Sequence, residues 1–212
     1  MSNEGKTLKT GTTTIGVVCK DCIVLAADKR ATAGHMVVDK KTNKIIPISK
    51  RFAITTAGVV SDAQLVTKLI KAQISLKENQ TNRNATTKEI ANMLSGMLYQ
   101  LIRTPSMMPG LAHLLLGGFD KEPALYDIYP DGAITDVGEF VCSGSGSIFA
   151  VGVLENDFKK DMTQKDGIQL IKKAINASLK RDAMSGNGFN IAIIDKNGFK
   201  FVESGTINTG IY

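Results

Sequence analysis

The sequence predicts an α+β fold, with antiparallel sheets and helices in separate layers, and three observations carry that expectation. The hydrophobic period changes in blocks: a run of strands, two helices, a second run of strands, two more helices, and a closing pair of strands. Neighbouring strand segments are separated by hairpin-type turns, among them Lys20-Asp21, Pro130-Asp131-Gly132 and Asn197-Gly198. No internal repeat, low-complexity segment or linker divides the chain.

Taken in order, residues 1–11 are polar and unpatterned, as in a short pro-segment or a tail. Residues 13–19 and 23–28 alternate apolar and polar with many β-branched side chains and predict two strands around a tight turn. Residues 36–40 and 43–47 predict a second hairpin about Lys41-Thr42, followed by a strand over 52–56 that ends in Ala57-Gly58. Ser61 or Asp62 is placed to cap the first helix, whose predicted buried stripe is Leu65, Leu69, Ala72 and Leu76. Thr86 or Thr87 ahead of Glu89 gives a capping-box signal for a second helix to about Arg103, with Ile90, Met93, Leu94, Met97, Leu98, Leu101 and Ile102 on its apolar face. Pro105 and Pro109 end it.

Strands resume over 111–117, 124–129, 133–137 and 140–142. The run Ser143-Gly144-Ser145-Gly146-Ser147 leads into a short helix over 148–154. A long helix over 163–181 carries Ile168, Leu170, Ile171, Ala174, Ile175 and Leu179 on one side, and 190–194 with 199–202 form a closing hairpin.

Composition narrows the function classes. With 212 residues, 43% hydrophobic and 22% charged, the chain is long enough for one sizeable core. The charge is +6, but 26 basic residues are interspersed with 20 acidic ones and Trp is absent, which argues against nucleic-acid binding. No apolar run reaches the ~20 residues a membrane span needs. The odd number of cysteines (Cys19, Cys22 and Cys142) and the lack of a signal-peptide pattern point to a reducing, cytoplasmic setting. Cys19 and Cys22 have C-x-x-C spacing, yet no second pair completes a zinc set, so both read as hairpin residues and neither a metal nor a cofactor is expected.

The stretch with most chemical content is Gly11-Thr12-Thr13-Thr14. If the bond after Gly11 is cut, Thr12 carries both a hydroxyl nucleophile and a free amine, a group that titrates at pH ~7.7–8.0 in short peptides, so nucleophile and base sit on one residue. Gly11 suits the other side of that bond, since a residue without Cβ lets a hydroxyl approach its carbonyl. By itself, such a stretch is also explained by the β-propensity of threonine.

Five stretches together decide between these readings: GTTTIGVV at 11–18, LAADKRAT at 25–32, TTAGVVSDAQ at 55–64, GSGSIFAVGVLE at 144–155 and RDAMSGNG at 181–188. In this order they resemble the proteasome β-subunits, closely the archaeal type, within the N-terminal nucleophile hydrolases. The resemblance runs from Thr12 to about Val202. It implies a four-layer αββα sandwich of two antiparallel sheets between helical layers, with residues 1–11 a pro-segment and 12–212 the hydrolase domain. It implies catalytic roles for Thr12, Asp28, Lys44, Ser145, Asp182 and Ser185, an oxyanion donor at the Gly58 N–H, and autocatalytic cleavage between Gly11 and Thr12. Pocket positions carry over to Ala31, Thr32, Thr42, Ile46, Thr56 and Val60, small or apolar for the most part, which implies cleavage after hydrophobic residues; Thr56 departs from the larger apolar residue usual there. His35 and His113 gain no role from it and read as surface or packing residues.

The activity so implied is a threonine endopeptidase that degrades unfolded proteins inside a stacked-ring particle. The implied partners are other β-subunits in a seven-membered ring, α-subunits, and a regulatory ATPase acting through the α-ring. Two alternatives stand beside it: a structural β-subunit that keeps its leader, and a smaller amidase of the same nucleophile class.

Overall fold

A computed structural model describes residues 11–105 and 111–206; residues 1–10 of the expected pro-segment and Pro109 lie outside them. The first strands are β1 (Thr14–Val18) and β2 (Cys22–Asp28), then β3 (Ala31–Ala33), β4 (Met36–Asp39), β5 (Ile45–Pro47) and β6 (Phe52–Gly58). Helices α1 (Val60–Thr81) and α2 (Thr87–Arg103) follow. Next come β7 (Ala112–Phe119), β8 (Pro123–Ile128), β9 (Ile134–Val137) and β10 (Phe140–Ser143), helices α3 (Ser147–Asp157) and α4 (Gln164–Arg181), and the hairpin β11 (Phe189–Asp195) and β12 (Gly198–Gly205).

Two five-stranded antiparallel sheets are formed, ordered β10-β1-β2-β11-β12 and β5-β6-β7-β8-β9. Strand alternation gives each sheet two apolar faces, and three clusters fill them. Helices α3 and α4 cover the first sheet through Leu154, Leu170, Ile171 and Ile175 against Ile15, Val24 and Ile193. Helices α1 and α2 cover the second through Ile70, Ile90, Leu94 and Leu98 against Phe52, Ile54 and Leu114. Between the sheets, Ile23, Leu25 and Ala192 meet Ile45, Ala53 and Leu125. The αββα layering expected from the resemblance is therefore what folds. Gly16 belongs to this seam, because a Cβ there would lie 2.9 Å from the Leu125 side chain.

The second helix starts as its capping box predicts: the Thr86 hydroxyl accepts from the Glu89 N–H and the Glu89 carboxylate accepts from the Thr86 N–H. Three details depart from the sequence reading. Strand β4 pairs with β3, not with β5, while β5 pairs with β6; Thr42 instead donates its N–H to the Lys29 carbonyl, drawing the chain between β4 and β5 back to the end of β2. Helix α1 begins at Val60 with no side-chain cap, and Asp62 accepts from the Leu111 N–H instead. Its buried face is Ala63, Val66, Thr67, Ile70 and Ile74, whereas Leu65, Leu69, Ala72 and Leu76 face outward. Two apolar stripes run along this helix, and the β-branched one fits the sheet.

Candidate active site

The site gathers at one end of the first sheet, where β1 begins, β2 ends and two loops arrive. Thr12 precedes β1 and is 5% exposed. Its Oγ1 accepts from Lys44 Nζ at 3.1 Å and donates to the Gly11 carbonyl oxygen at 2.6 Å, so the hydroxyl lies against the peptide group that precedes it. Lys44, just before β5, donates a second hydrogen bond of 2.6 Å to Asp28 Oδ1 at the end of β2.

Asp28 is fully buried and organises this corner. Oδ1 also accepts from the Thr13 N–H, and Oδ2 accepts from the N–H groups of Arg30 and Gly186, each at 3.0 Å. Four donors on one carboxylate offset the cost of burying its charge. Burial pushes the Lys44 ammonium below the ordinary lysine range, and the charge of Asp28 opposes that shift.

A second chain of polar contacts approaches from the other side. Ser145 Oγ accepts from the Thr12 N–H at 3.3 Å and donates to Asp182 Oδ2 at 2.6 Å. Ser185 Oγ donates to the same Asp182 oxygen at 2.6 Å and lies 2.7 Å from Thr13 Oγ1. Asp182 caps the C-terminus of α4, and Ser145 sits in the loop between β10 and α3. Gly146 N–H donates to the Thr12 carbonyl, which holds that loop against the residue.

Beside Thr12 opens a cavity of about 120 Å³. The six sequence-predicted pocket residues, Ala31, Thr32, Thr42, Ile46, Thr56 and Val60, all line it, as does Gly58. Gly58 adopts φ +110°, and a Cβ there would lie 2.2 Å from the Leu111 carbonyl oxygen, so only glycine suits the end of β6. Among the described residues, no group of three or more His, Cys, Asp and Glu side chains is arranged to hold a metal ion.

A profile of the proteasome subunit family matches residues 8–194. The chain belongs to the proteasome subunit family. It is 41% identical over 201 residues to the proteasome subunit beta of Methanococcus aeolicus, covering 94% of this chain and 91% of that one. The corresponding protein of Archaeoglobus profundus is 40% identical over 89% of this chain and 86% of its own. Proteasome subunit beta 2 of Pyrococcus abyssi is 38% identical, covering 90% and 89%. No described helix is long and apolar enough to cross a membrane.

Several contributors to this proteasome-family site are not legible in the sequence. Thr13 joins Asp28 to Ser185 through its N–H and its hydroxyl, but in sequence it is one threonine of three. Arg30 fixes the loop after α4 through Asn187 Oδ1 at 2.9 Å and the Ala183 carbonyl at 2.7 Å. Ser178 on α4, fully buried, donates to the Gly146 carbonyl at 2.7 Å. Asn43, Ala57, Ala63 and Gln64 complete the cavity wall. Gln64 had one available signal: it lies one helical turn after Val60 and so shares that residue's face.

Proposed function

We propose that this chain is a catalytic β-subunit of a proteasome core particle, a threonine endopeptidase that becomes active when the Gly11 to Thr12 bond is cut. The observation that carries the reading is the buried sequence Asp28, Lys44, Thr12 Oγ1 and Gly11 carbonyl, linked at 2.6, 3.1 and 2.6 Å. It puts a cation beside a hydroxyl and that hydroxyl beside the carbonyl it must attack. Asp28, Lys44 and Thr12 serve both the maturation step and the later turnover.

In maturation, Thr12 Oγ1 adds to the Gly11 carbonyl carbon as its proton passes to water, and the C–N bond breaks as the Thr12 nitrogen takes up a proton in return, moving the acyl group from nitrogen to oxygen. Water then hydrolyses the ester, releasing the leader as a carboxylate and Thr12 with a free amine. In turnover, that amine takes the hydroxyl proton and Thr12 Oγ1 adds to a substrate carbonyl. The C–N bond breaks as the departing amine receives the proton, and water cleaves the acyl-threonine. Lys44, held by Asp28, favours the oxyanion form of the nucleophile. Ser145, Asp182 and Ser185 orient the amine, and the Gly58 N–H is assigned as donor to the carbonyl oxygen, a role worth ~2.7–4 kcal/mol for comparable donors. While Gly11 remains attached, the nitrogen is an amide and cannot act as base.

The cavity supports cleavage after hydrophobic side chains, since Ala31, Ile46, Ala57, Val60 and Ala63 give it an apolar side and Lys44 is already paired with Asp28. The reading extends to assembly in seven-membered β-rings with α-subunits, a regulatory ATPase feeding unfolded proteins through the α-ring, and a cytoplasmic location. Outward apolar side chains on α1 and α3, Leu65, Leu69, Leu76, Ile148 and Val151, are surfaces suited to such neighbours.

The deciding experiment is the intact mass of the assembled protein together with peptide hydrolysis. A species beginning at Thr12 that hydrolyses hydrophobic peptides is expected, with both properties lost in Thr12→Ala. Rings that retain residues 1–11, or an active Thr12→Ala particle, reject the catalytic reading, and the first of these outcomes selects a structural ring subunit.

A further inference from the structure

Outside the site lies a second polar cluster between the sheets, in which both ring nitrogens of His113 are engaged. Nε2 is 2.6 Å from Asp127 Oδ1 and Nδ1 is 2.7 Å from Ser143 Oγ. His113 stands on β7, Asp127 on β8 and Ser143 at the end of β10, so the imidazole ties the second sheet to the edge strand of the first. A carboxylate accepts only, so Nε2 donates to Asp127, and Nδ1 shares a hydrogen bond with the Ser143 hydroxyl. Tyr129 stacks on the ring at 4.9 Å between centroids and holds its plane.

These residue types invite comparison with a hydrolytic triad, but Ser143 is 2% exposed and is not among the residues lining the cavity beside Thr12, so its hydroxyl is closed to a substrate held there. Its place in the chain gives it another use. Ser143 is the last residue of β10, and the next three residues form the loop against Thr12. Gly144 adopts φ +90°, a Cβ there would lie 2.1 Å from the Thr12 carbonyl oxygen, and Gly146 donates to that same oxygen. Ser145 therefore stands between two glycines, so its direction is set by its own bond of 2.6 Å to Asp182 Oδ2 together with whatever anchors the loop at each end.

The far end is anchored by Ser178 Oγ on the Gly146 carbonyl at 2.7 Å and by the start of α3. At the near end, the side-chain anchor is the Ser143 to His113 bond. Thr14, the cross-strand partner of Ser143, has a buried Oγ1 with no partner among the described residues and makes no hydrogen bond with the Ser143 hydroxyl. Removing His113 takes from the buried Ser143 hydroxyl the partner it has in the structure.

We infer that His113 is a positioning residue for the Thr12 site: through Ser143 it sets the course of the 143–146 loop, and with it the aim of Ser145 at the Thr12 nitrogen. The inference rests on the threonine-peptidase reading given above. The hydroxyl of Ser145 is the loop's exposed side-chain group at Thr12, whereas the cavity that receives substrate is lined by Gly11 and Thr12 and from β3, β5 and the chain before it, β6 and α1, with no residue of the 143–146 loop. Loss of the anchor therefore acts on kcat and leaves KM in place. A displacement of ~1 Å in a reacting group costs ~10²-fold, and loosening one end of the loop is expected to lower kcat about tenfold.

The test uses assembled, mature particles, with reactive Thr12 counted by mass after esterification by an electrophilic peptide. His113→Phe keeps a ring against Tyr129 and removes both hydrogen bonds; Ser143→Ala is the smaller second variant, for use if the first does not assemble. Each is expected to lower kcat per labelled Thr12 about tenfold with KM unchanged. Asp127→Asn, which keeps an oxygen for the Nε2 proton, should lose less than Asp127→Leu. In a Ser145→Ala background His113→Phe should have little further effect, because both changes act on one contact. Unchanged kcat per labelled site, a loss carried by KM, or effects that multiply with Ser145→Ala overturn the inference. Failure of the threonine reading looks different, since the wild-type particles then retain residues 1–11 or hydrolysis persists in Thr12→Ala.

Discussion

Replacing Gly11 by alanine tests the geometry of the junction with a single methyl group. A Cβ at this position would lie 1.8 Å from Met184 Cβ and 3.0 Å from Met184 Cα. Ordinary contacts begin at 3.4 Å, so the Gly11 peptide or the loop after α4 has to move by about 1.6 Å. That loop is braced by Arg30 on Ala183 and Asn187 and by the Met184 N–H on Asp182 Oδ1, and it yields less readily than the peptide. The carbonyl that moves is the one 2.6 Å from Thr12 Oγ1. Since ~1 Å of misplacement costs ~10²-fold, the first-order conversion to a chain beginning at Thr12 should slow by at least about 10²-fold. Intact mass against time after assembly measures it directly. Met184→Gly removes the opposing Cβ and should restore most of the rate in the double variant. Conversion of Gly11→Ala within a few-fold of wild type, or a double variant as slow as the single, would refute the argument.

Three further outcomes follow from the same coordinates. Asp28→Ala strands a buried lysine and three backbone N–H groups, and should cost about 3–5 kcal/mol in denaturant unfolding, while Lys44→Met, which leaves the carboxylate its three backbone donors, should cost less; both should abolish hydrolysis. Because burial lowers the Lys44 pKa from its unfolded 10.5, the unfolded chain binds more protons between the folded value and 10.5, so stability gains with rising pH across that window; the stability of wild type relative to Lys44→Met should grow as pH approaches 10. Burial, with the charge of Asp127, pushes the Cys142 thiol up to about 12, so alkylation of Cys142 in the native protein at pH 8 should run about 10³-fold slower than in a denatured control.

Apart from β3, which the sequence reading lacked, the order of elements was readable from local chemistry, and the four layers were what the resemblance implied. The capping box at Thr86 and Glu89, the apolar face of α2 and the turn at Asn197-Gly198 depend on residues within one or two turns of each other, and these elements formed where they were expected. The α1 stripe was not readable in this way. Leu65 and Leu69 recur at helical spacing as regularly as Val66 and Ile70, and only the shape of the second sheet selects the branched pair for burial. The pairing of β4 failed for a related reason, since short strands carry little register information and the Thr42 to Lys29 contact that bends the chain is long-range.

At the site, the sequence by itself determined the residue types. A glycine and threonine at a strand start, an acid closing β2, a lysine before β5, and R-D-x-x-S-G after α4 are fixed by motif, and the resemblance gave each a role. Tertiary structure alone decided which atoms meet. Asp28 gathers donors from Thr13, Arg30, Lys44 and Gly186 because β1, β2 and the loop after α4 converge there, up to 158 residues apart in sequence. Thr13, Ser178 and His113 acquire their places only by packing, since a hydroxyl or imidazole carries no local pattern that names its distant partner. Sequence periodicity encodes which face of an element is buried; the partner across a sheet or between layers is set by how whole faces pack.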